Sequence, residues 1–176
     1  LPDVRIDSVK HVEGDAAHYD VDGTIGGTIK FELLLPDTWN ERFAMGGGGG
    51  FVGSVQNGAR NSVKSGFATV GTDTGHQGPD GSFGHNDVLA QVNFGHVAIH
   101  RTAEVANAII RAHYGKDPEF SYFLGCSRGG GQAMMEAQRY PEDFDGIVAG
   151  APAFDWGGFS ANGINIVQAF YPDPKV

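Results

Sequence analysis

Phe120-Ser121-Tyr122-Phe123-Leu124-Gly125-Cys126-Ser127-Arg128-Gly129-Gly130-Gly131 decides the fold. An aromatic-rich strand pattern runs through a glycine-flanked serine into Gln132-Ala133-Met134-Met135-Glu136-Ala137-Gln138-Arg139-Tyr140, a helical stretch that Pro141 stops. Gly125 to Gly129 has the G-x-S-x-G form of a nucleophile elbow. That turn needs a strand entering, a bend too tight for side chains two residues before and after the serine, and a helix leaving with its N-terminus at the site. In a chain with 28 glycines, roughly 0.2 such matches arise by chance, so the flanking strand and helix carry the reading, not the pentapeptide alone. A serine there stands beside unpaired backbone N–H groups and the positive end of a helix dipole, which suits a developing oxyanion. An ordinary helix N-cap is the competing reading of Ser127, but a cap needs neither the paired glycines nor the strand.

Outward from the elbow, the pattern continues to a short buried strand, Gly146-Ile147-Val148-Ala149-Gly150-Ala151-Pro152. Upstream, residues 93–114 carry apolar residues at steps of three and four and end at Gly115, a helix with its C-terminal stop. Earlier still, the alternating Thr28 to Leu35 stretch, Arg42-Phe43-Ala44-Met45 and Gly66 to Gly71 read as strands. Strands first, then helix, strand, helix, strand, predicts an α/β sheet whose second half is parallel. The five-glycine tract Gly46 to Gly50 follows a strand as the glycine-rich oxyanion loop of α/β hydrolases does. A phosphate loop is disfavoured, because no Gly-Lys-Ser/Thr follows.

Composition narrows the function classes. The chain of 176 residues carries a net charge of −9, which argues against a nucleic-acid partner. No apolar run approaches the roughly 20 residues that cross a bilayer, so no membrane partner is expected. Cys126 is the one cysteine, so no disulfide forms within the chain. Among the remaining polar residues, His76 near Asp73 is the best local candidate for a general base. It is disfavoured, since nothing in the sequence brings it to Ser127. His96, His100 and Glu104 share a helix face at metal-ligand spacing, but a solvated stripe with a local His–Glu pair is the preferred reading, so no metal site is assigned. His85 and Asp87 are loop residues. The Arg128 side chain, directly after the serine, is read either as a contact for an acidic substrate group or as solvated or in a rim salt bridge, and the second reading is preferred. Phe51, Phe154 and Trp156 are read either as aromatic surface near the site or as core.

Trp39 to Phe43, the glycine tract, Ala68-Thr69-Val70-Gly71-Thr72-Asp73-Thr74-Gly75-His76, Tyr122 to Gly130 and Tyr140 to Pro152 together resemble the tannase and feruloyl esterase family, in collinear order over about residues 28 to 155. The resemblance implies the α/β-hydrolase fold and a secreted or periplasmic serine esterase, its signal peptide removed, that cleaves esters of aromatic and phenolic acids. It implies Ser127 as nucleophile, with the backbone N–H groups of Gly50 and Arg128 as the oxyanion hole. It further implies that Cys126 pairs with a cysteine next to the catalytic histidine, and that a lid domain, which binds calcium in the family, follows the Ala-Gly-Ala-Pro strand. This chain itself is expected to hold no cofactor.

All seven histidines precede Ser127, whereas the family's acid and histidine follow it. The chain is therefore expected to be the N-terminal part of the catalytic domain, residues 1–176, with about 155–176 leading into the lid. A companion C-terminal segment, linked through Cys126, would bring the acid and histidine. The favoured origin is a longer precursor, cut or split in the lid. A truncated remnant that only binds ligands is the alternative. Ferulate and gallate esters are not distinguished by this sequence.

Overall fold

The alternating Thr28 to Leu35 stretch forms β3 (Ile29–Pro36) in the computed structural model, which describes residues 1–171. Residues 172–176, at the end of the expected approach to the lid, lie outside the described residues. Two strands that the sequence reading did not assign precede it, β1 (Val4–Val12) and β2 (His18–Ile25). The strands β4 (Arg42–Gly46), β5 (Ala68–Thr72), β6 (Phe120–Cys126) and β7 (Gly146–Gly150) complete a seven-stranded sheet in the order β1-β2-β3-β5-β4-β6-β7. The β1/β2, β2/β3 and β3/β5 pairs are antiparallel, and β5/β4, β4/β6 and β6/β7 are parallel, as the element order predicts. At its inner end β4 delivers the glycine tract alongside β6, the strand that delivers the serine.

The helices are α1 (Val88–Val92), α2 (Ala98–Tyr114), α3 (Arg128–Arg139) and α4 (Trp156–Phe170). The helix expected over 93–114 is regular only from Ala98, because Asn93–Val97 winds as a wider π turn. Asn93 is buried there, packs against Gly75 and donates from Nδ2 to Thr28 Oγ1 at 3.4 Å. A single π turn accommodates such an intrusion without ending the helix. Gly115, at φ 76°, closes α2 with its N–H on the Arg111 carbonyl, where a left-handed residue is required.

Helix α2 packs on β3 and β5, α3 packs on β6 and β7, and the two helices touch each other. Between helices and sheet, Leu33, Leu35, Phe43, Met45, Val70 and Phe123 meet Ile99, Ala106, Ile110 and Ala133. Each fully buried Leu, Ile or Phe contributes about 1.5–3 kcal/mol, so this layer fixes α3 and its N-terminus against the sheet.

The strand expected to be buried at Gly146 to Gly150 forms, but it is half-exposed, with Val148 60% accessible. It is the last strand in the sheet order, and among the described residues none pairs with its outer edge. Beyond it α4, capped by Asp155, whose carboxylate accepts the Gly158 N–H at 3.0 Å, leaves Phe159, Ile164, Val167 and Phe170 exposed.

Candidate active site

Ser127 sits where β6 turns into α3, with φ 58° and ψ −118°. Such a conformation costs a residue with a Cβ of order 1–3 kcal/mol and persists only where its surroundings enforce it. Here they do. The Ser127 N–H donates to the Gly150 carbonyl at 3.0 Å, and the Ser127 carbonyl accepts from Ala153 at 2.9 Å and from Gly131 at 3.1 Å. The glycines are steric necessities. A Cβ on Gly125 would overlap the Gly129 carbonyl, one on Gly130 the Gly150 carbonyl, and one on Gly131 the Ala153 carbonyl. Although Ser127 occupies the N-cap position of α3, its side chain makes no capping hydrogen bond, and its residue is exposed. Among the described residues the hydroxyl is therefore without a partner at a helix N-terminus, which is not how a capping serine behaves.

The glycine tract lies directly beside this turn. Gly47 approaches Gly129 so closely that a Cβ on Gly47 would come within 2.8 Å of the Gly129 Cα. The Gly47 N–H donates to the Leu124 carbonyl at 2.8 Å, Gly48 to Gln132 Oε1 at 3.1 Å and Gly49 to Gln56 Oε1 at 2.8 Å. Gly50, at φ 58°, is exposed, and its N–H has no acceptor among the described residues. In the first turn of α3 the Arg128 N–H likewise has no intrahelical acceptor. A cleft of about 390 Å³ opens between the tract and the end of β6, lined by Gly47, Gly48, Gly49, Gly125, Cys126 and Val148. Cys126 is exposed with a free thiol.

The Arg128 side chain departs from expectation. It is buried rather than solvated and joins no salt bridge among the described residues. Its Nη2 donates to the Phe94 carbonyl, and its guanidinium carbon lies 4.2 Å from the Phe94 ring centroid and 5.8 Å from that of Trp156. The π turn presents Phe94, and the segment after β7 brings Trp156, so residues distant in sequence close over a first-turn arginine. Burial pushes its pKa down to about 10. Phe51 and Trp156 stack with centroids 6.0 Å apart, and with Phe94, Phe154 and Arg128 they line a second cavity of about 260 Å³. Phe51, Phe154 and Trp156 are all exposed and none belongs to the buried core, so the core reading fails and the three form aromatic surface that borders open space.

His76 and Asp73 are both buried, yet they do not form a dyad. The Asp73 carboxylate accepts the Lys30 N–H at 3.0 Å, the Gly75 N–H at 2.8 Å and Gln77 Nε2 at 2.5 Å, and burial raises its pKa. His76 stacks on Phe83 at 3.6 Å, edges onto Phe94, and has no hydrogen-bond partner among the described residues, Ser127 included. The His96/His100/Glu104 stripe is also accounted for. His96 Nδ1 bonds the Tyr140 hydroxyl at 2.8 Å, His100 Nδ1 bonds Asp143 at 2.7 Å, and Glu104 lies 3.7 Å from His100 Nε2. Asp87 caps α1, accepting from Ala90 at 2.9 Å, and His85 is exposed.

A family model described as "Tannase and feruloyl esterase" matches residues 16–175. The chain belongs to the tannase and feruloyl esterase family. A probable feruloyl esterase of Arthroderma benhamiae is 39% identical over 88% of the chain, and the mono(2-hydroxyethyl) terephthalate hydrolase of Piscinibacter sakaiensis is 36% identical over 82%. The solved feruloyl esterase B of Aspergillus oryzae superposes over 96% of the chain with a TM-score of 0.86 and 30% identity. The chain spans 30%, 26% and 38% of those three proteins. Its sheet order and crossovers, with this likeness, give part of an α/β-hydrolase fold.

This family member holds one acidic trio within metal-ligating reach among its described residues, Asp20, Asp22 and Glu32. Arg60 pairs with Glu32 and lies 3.9 Å from Asp20, and Ser8 Oγ donates to Asp22 at 2.8 Å. Burial and the neighbouring carboxylates raise the Asp20 pKa. With a guanidinium already supplying the positive charge, the trio does not fit the calcium that the family resemblance implies for the lid.

Sequence reading missed Gln132, Gln56 and Phe94 as parts of the site. A polar Gln132 amid Gly129, Gly130, Gly131 and Ala133, on the side of α3 that must face the sheet, was the one available signal.

Proposed function

We propose that the chain is the part of a serine carboxylic ester hydrolase that carries the nucleophile, Ser127, and that it acts on esters of aromatic or phenolic acids. The positive φ of Ser127, an exposed residue whose hydroxyl has no partner among the described residues at the start of α3, carries this reading. Ser127 Oγ would attack the ester carbonyl while a histidine takes its proton. The oxyanion would be held by the N–H groups of Gly50 and Arg128. Collapse expels the alcohol, which receives that proton, and leaves an acyl-serine. Water then attacks the acyl-serine and releases the acid. The aromatic walls at Phe51, Phe154 and Trp156 suit a phenolic ring.

The acid and the histidine are assigned to polypeptide outside residues 1–176, which follow this part of the catalytic domain in chain order after a lid. All seven histidines of this chain precede Ser127, and none that is described bonds to it. The exposed Cys126 thiol next to the nucleophile would form the disulfide to that segment, and the exposed edge of β7 with the apolar face of α4 would receive it. A disulfide belongs to an oxidising compartment, in keeping with secretion. No helix of the described residues is long and apolar enough to cross a membrane.

The test is phosphonate labelling of the protein as its gene encodes it, with peptide mapping and a chromogenic aryl ester assay. An adduct on Ser127 and loss of turnover in Ser127→Ala are expected. Unchanged turnover in Ser127→Ala would overturn the assignment. Non-reducing peptide mapping checks Cys126, where a free thiol in the mature protein would remove the proposed bridge.

A further inference from the structure

Arg128 meets three electrostatic penalties at once. It is buried, with 4% of the residue exposed. It belongs to the first turn of α3, where the helix dipole opposes a cation. It pairs with no carboxylate among the described residues. Among the described residues only its Nη2 is bonded, to the Phe94 carbonyl. Nε is sealed without a partner among the described residues, and Nη1, which lies 3.3 Å from where a Cβ on Gly131 would stand, has no acceptor among them either. With a pKa of about 10 the group stays protonated at neutral pH, so the charge remains.

A buried cation answered only by one carbonyl and by the faces of Phe94 and Trp156 still lacks a counter-charge, and an anion would complete it. Arg128 lines the 260 Å³ cavity together with Phe51, Phe94, Met135, Phe154 and Trp156. A single cation among aromatic rings matches a planar ring that carries one negative charge. The ring gains stacking and apolar burial, and a carboxylate accepts from the unbonded Nη1. A dianion would leave one charge unbalanced among apolar walls.

We propose that Arg128, with Phe51 and Trp156, forms a binding site for an aromatic carboxylate, the ring against the two aromatics and the carboxylate on the guanidinium. The site deepens the esterase reading and rests on it for its meaning, since the cavity adjoins the helix that Ser127 begins. The carboxylate has two possible sources: the aromatic acid that hydrolysis releases, or an acidic substituent on the ester that enters.

Calorimetry on the protein as its gene encodes it, in a Ser127→Ala background, compares benzoate with its neutral isostere benzamide. Benzoate is expected to bind about tenfold more tightly, the worth of one charge-assisted contact. Arg128→Gln is expected to abolish the preference, and Arg128→Lys to retain part of it. Hydrolysis of an aryl ester bearing a free carboxylate, against its methylated twin, then separates the sources. A preference for the acidic ester assigns the substituent. Equal rates, with benzoate still bound and inhibiting, assign the released acid.

Equal binding of benzoate and benzamide to the arginine protein overturns the proposal. So does failure of benzoate to bind while Arg128→Gln lowers Tm, because the charge is then answered by the polypeptide itself. Because binding is read without turnover, loss of phosphonate labelling with the benzoate preference intact would sink only the serine assignment, and the reverse result only this one.

Discussion

Gln132 Oε1 accepts the Gly48 N–H at 3.1 Å, joining the nucleophile helix to the glycine tract across 84 residues of sequence. The bond is buried, and it holds the backbone from which Gly49 and Gly50 continue, beyond the end of β4 at Gly46.

Gln132→Met keeps the volume but strands the Gly48 N–H, which costs about 1–3 kcal/mol of stability. If the tract carries an oxyanion donor, kcat on an aryl ester falls about tenfold with KM nearly unchanged, because the loss concerns the transition state alone. Steady-state kinetics beside a thermal melt check this. A raised KM with kcat intact would show that Gln132 does not position the tract for catalysis.

Ser127→Gly relieves the left-handed strain at φ 58° and should raise stability by about 1 kcal/mol while turnover is lost. Ser127→Ala keeps the Cβ and should show no such gain. Denaturant titration of the pair measures the difference, and equal midpoints would mean that the turn is not strained.

Gly130→Ala drives a Cβ into the Gly150 carbonyl and to within 2.8 Å of the Pro152 Cα. Separating α3 from β7 in this way should cost about 2–4 kcal/mol. Gly163→Ala, in α4 with open space around its Cβ, should instead gain about 0.5–1 kcal/mol from helix propensity. Thermal melts of the two variants, shifted in opposite directions, are the expected result.

Glu136 is buried on α3 with neither carboxylate oxygen bonded among the described residues, and burial, followed by the charge of Asp143, pushes its pKa up to about 9. Asp143 is itself held by His100 Nδ1 at 2.7 Å. Below the ordinary value of 4.5 both folded and unfolded chains carry the proton, and the group does not bias folding. As pH rises the unfolded chain releases the proton first, so this residue lowers stability progressively up to about pH 9. Glu136→Gln should therefore match the parent near pH 4 and melt at higher temperature at pH 8. A constant difference across that range would contradict the buried, protonated state.

The elbow was legible because its glycines answer steric demands made within a dozen residues, by Gly129 and by the strand that follows α3. By contrast β1 and β2 were hidden. A register shift between Ile6 and Ser8 moves the apolar parity of β1, so Ile6 and Val9 do not alternate. In β2 the alternation is present, Tyr19, Val21 and Ile25 against Asp20, Asp22 and Thr24, but Asp and the central Gly23 are poor strand formers, and the polar face is answered by Arg60, Ser8 and Asp7 from other segments. The Arg128 side chain was misplaced for a related reason. Its concealment depends on Phe94 and Trp156, which lie more than 25 residues away on either side.

The π turn at Asn93–Val97 works as a frame setter for the loop it ends. One residue more or fewer there would rotate Phe94 by about 100° around the helix axis. A single ring now touches His76, Phe83, Phe51 and the Arg128 guanidinium, and all four contacts would be lost together. Insertions are thus tolerable in the polar run before residue 88 but not in the five residues that wind after it, so length variation in this loop should stop abruptly at α1.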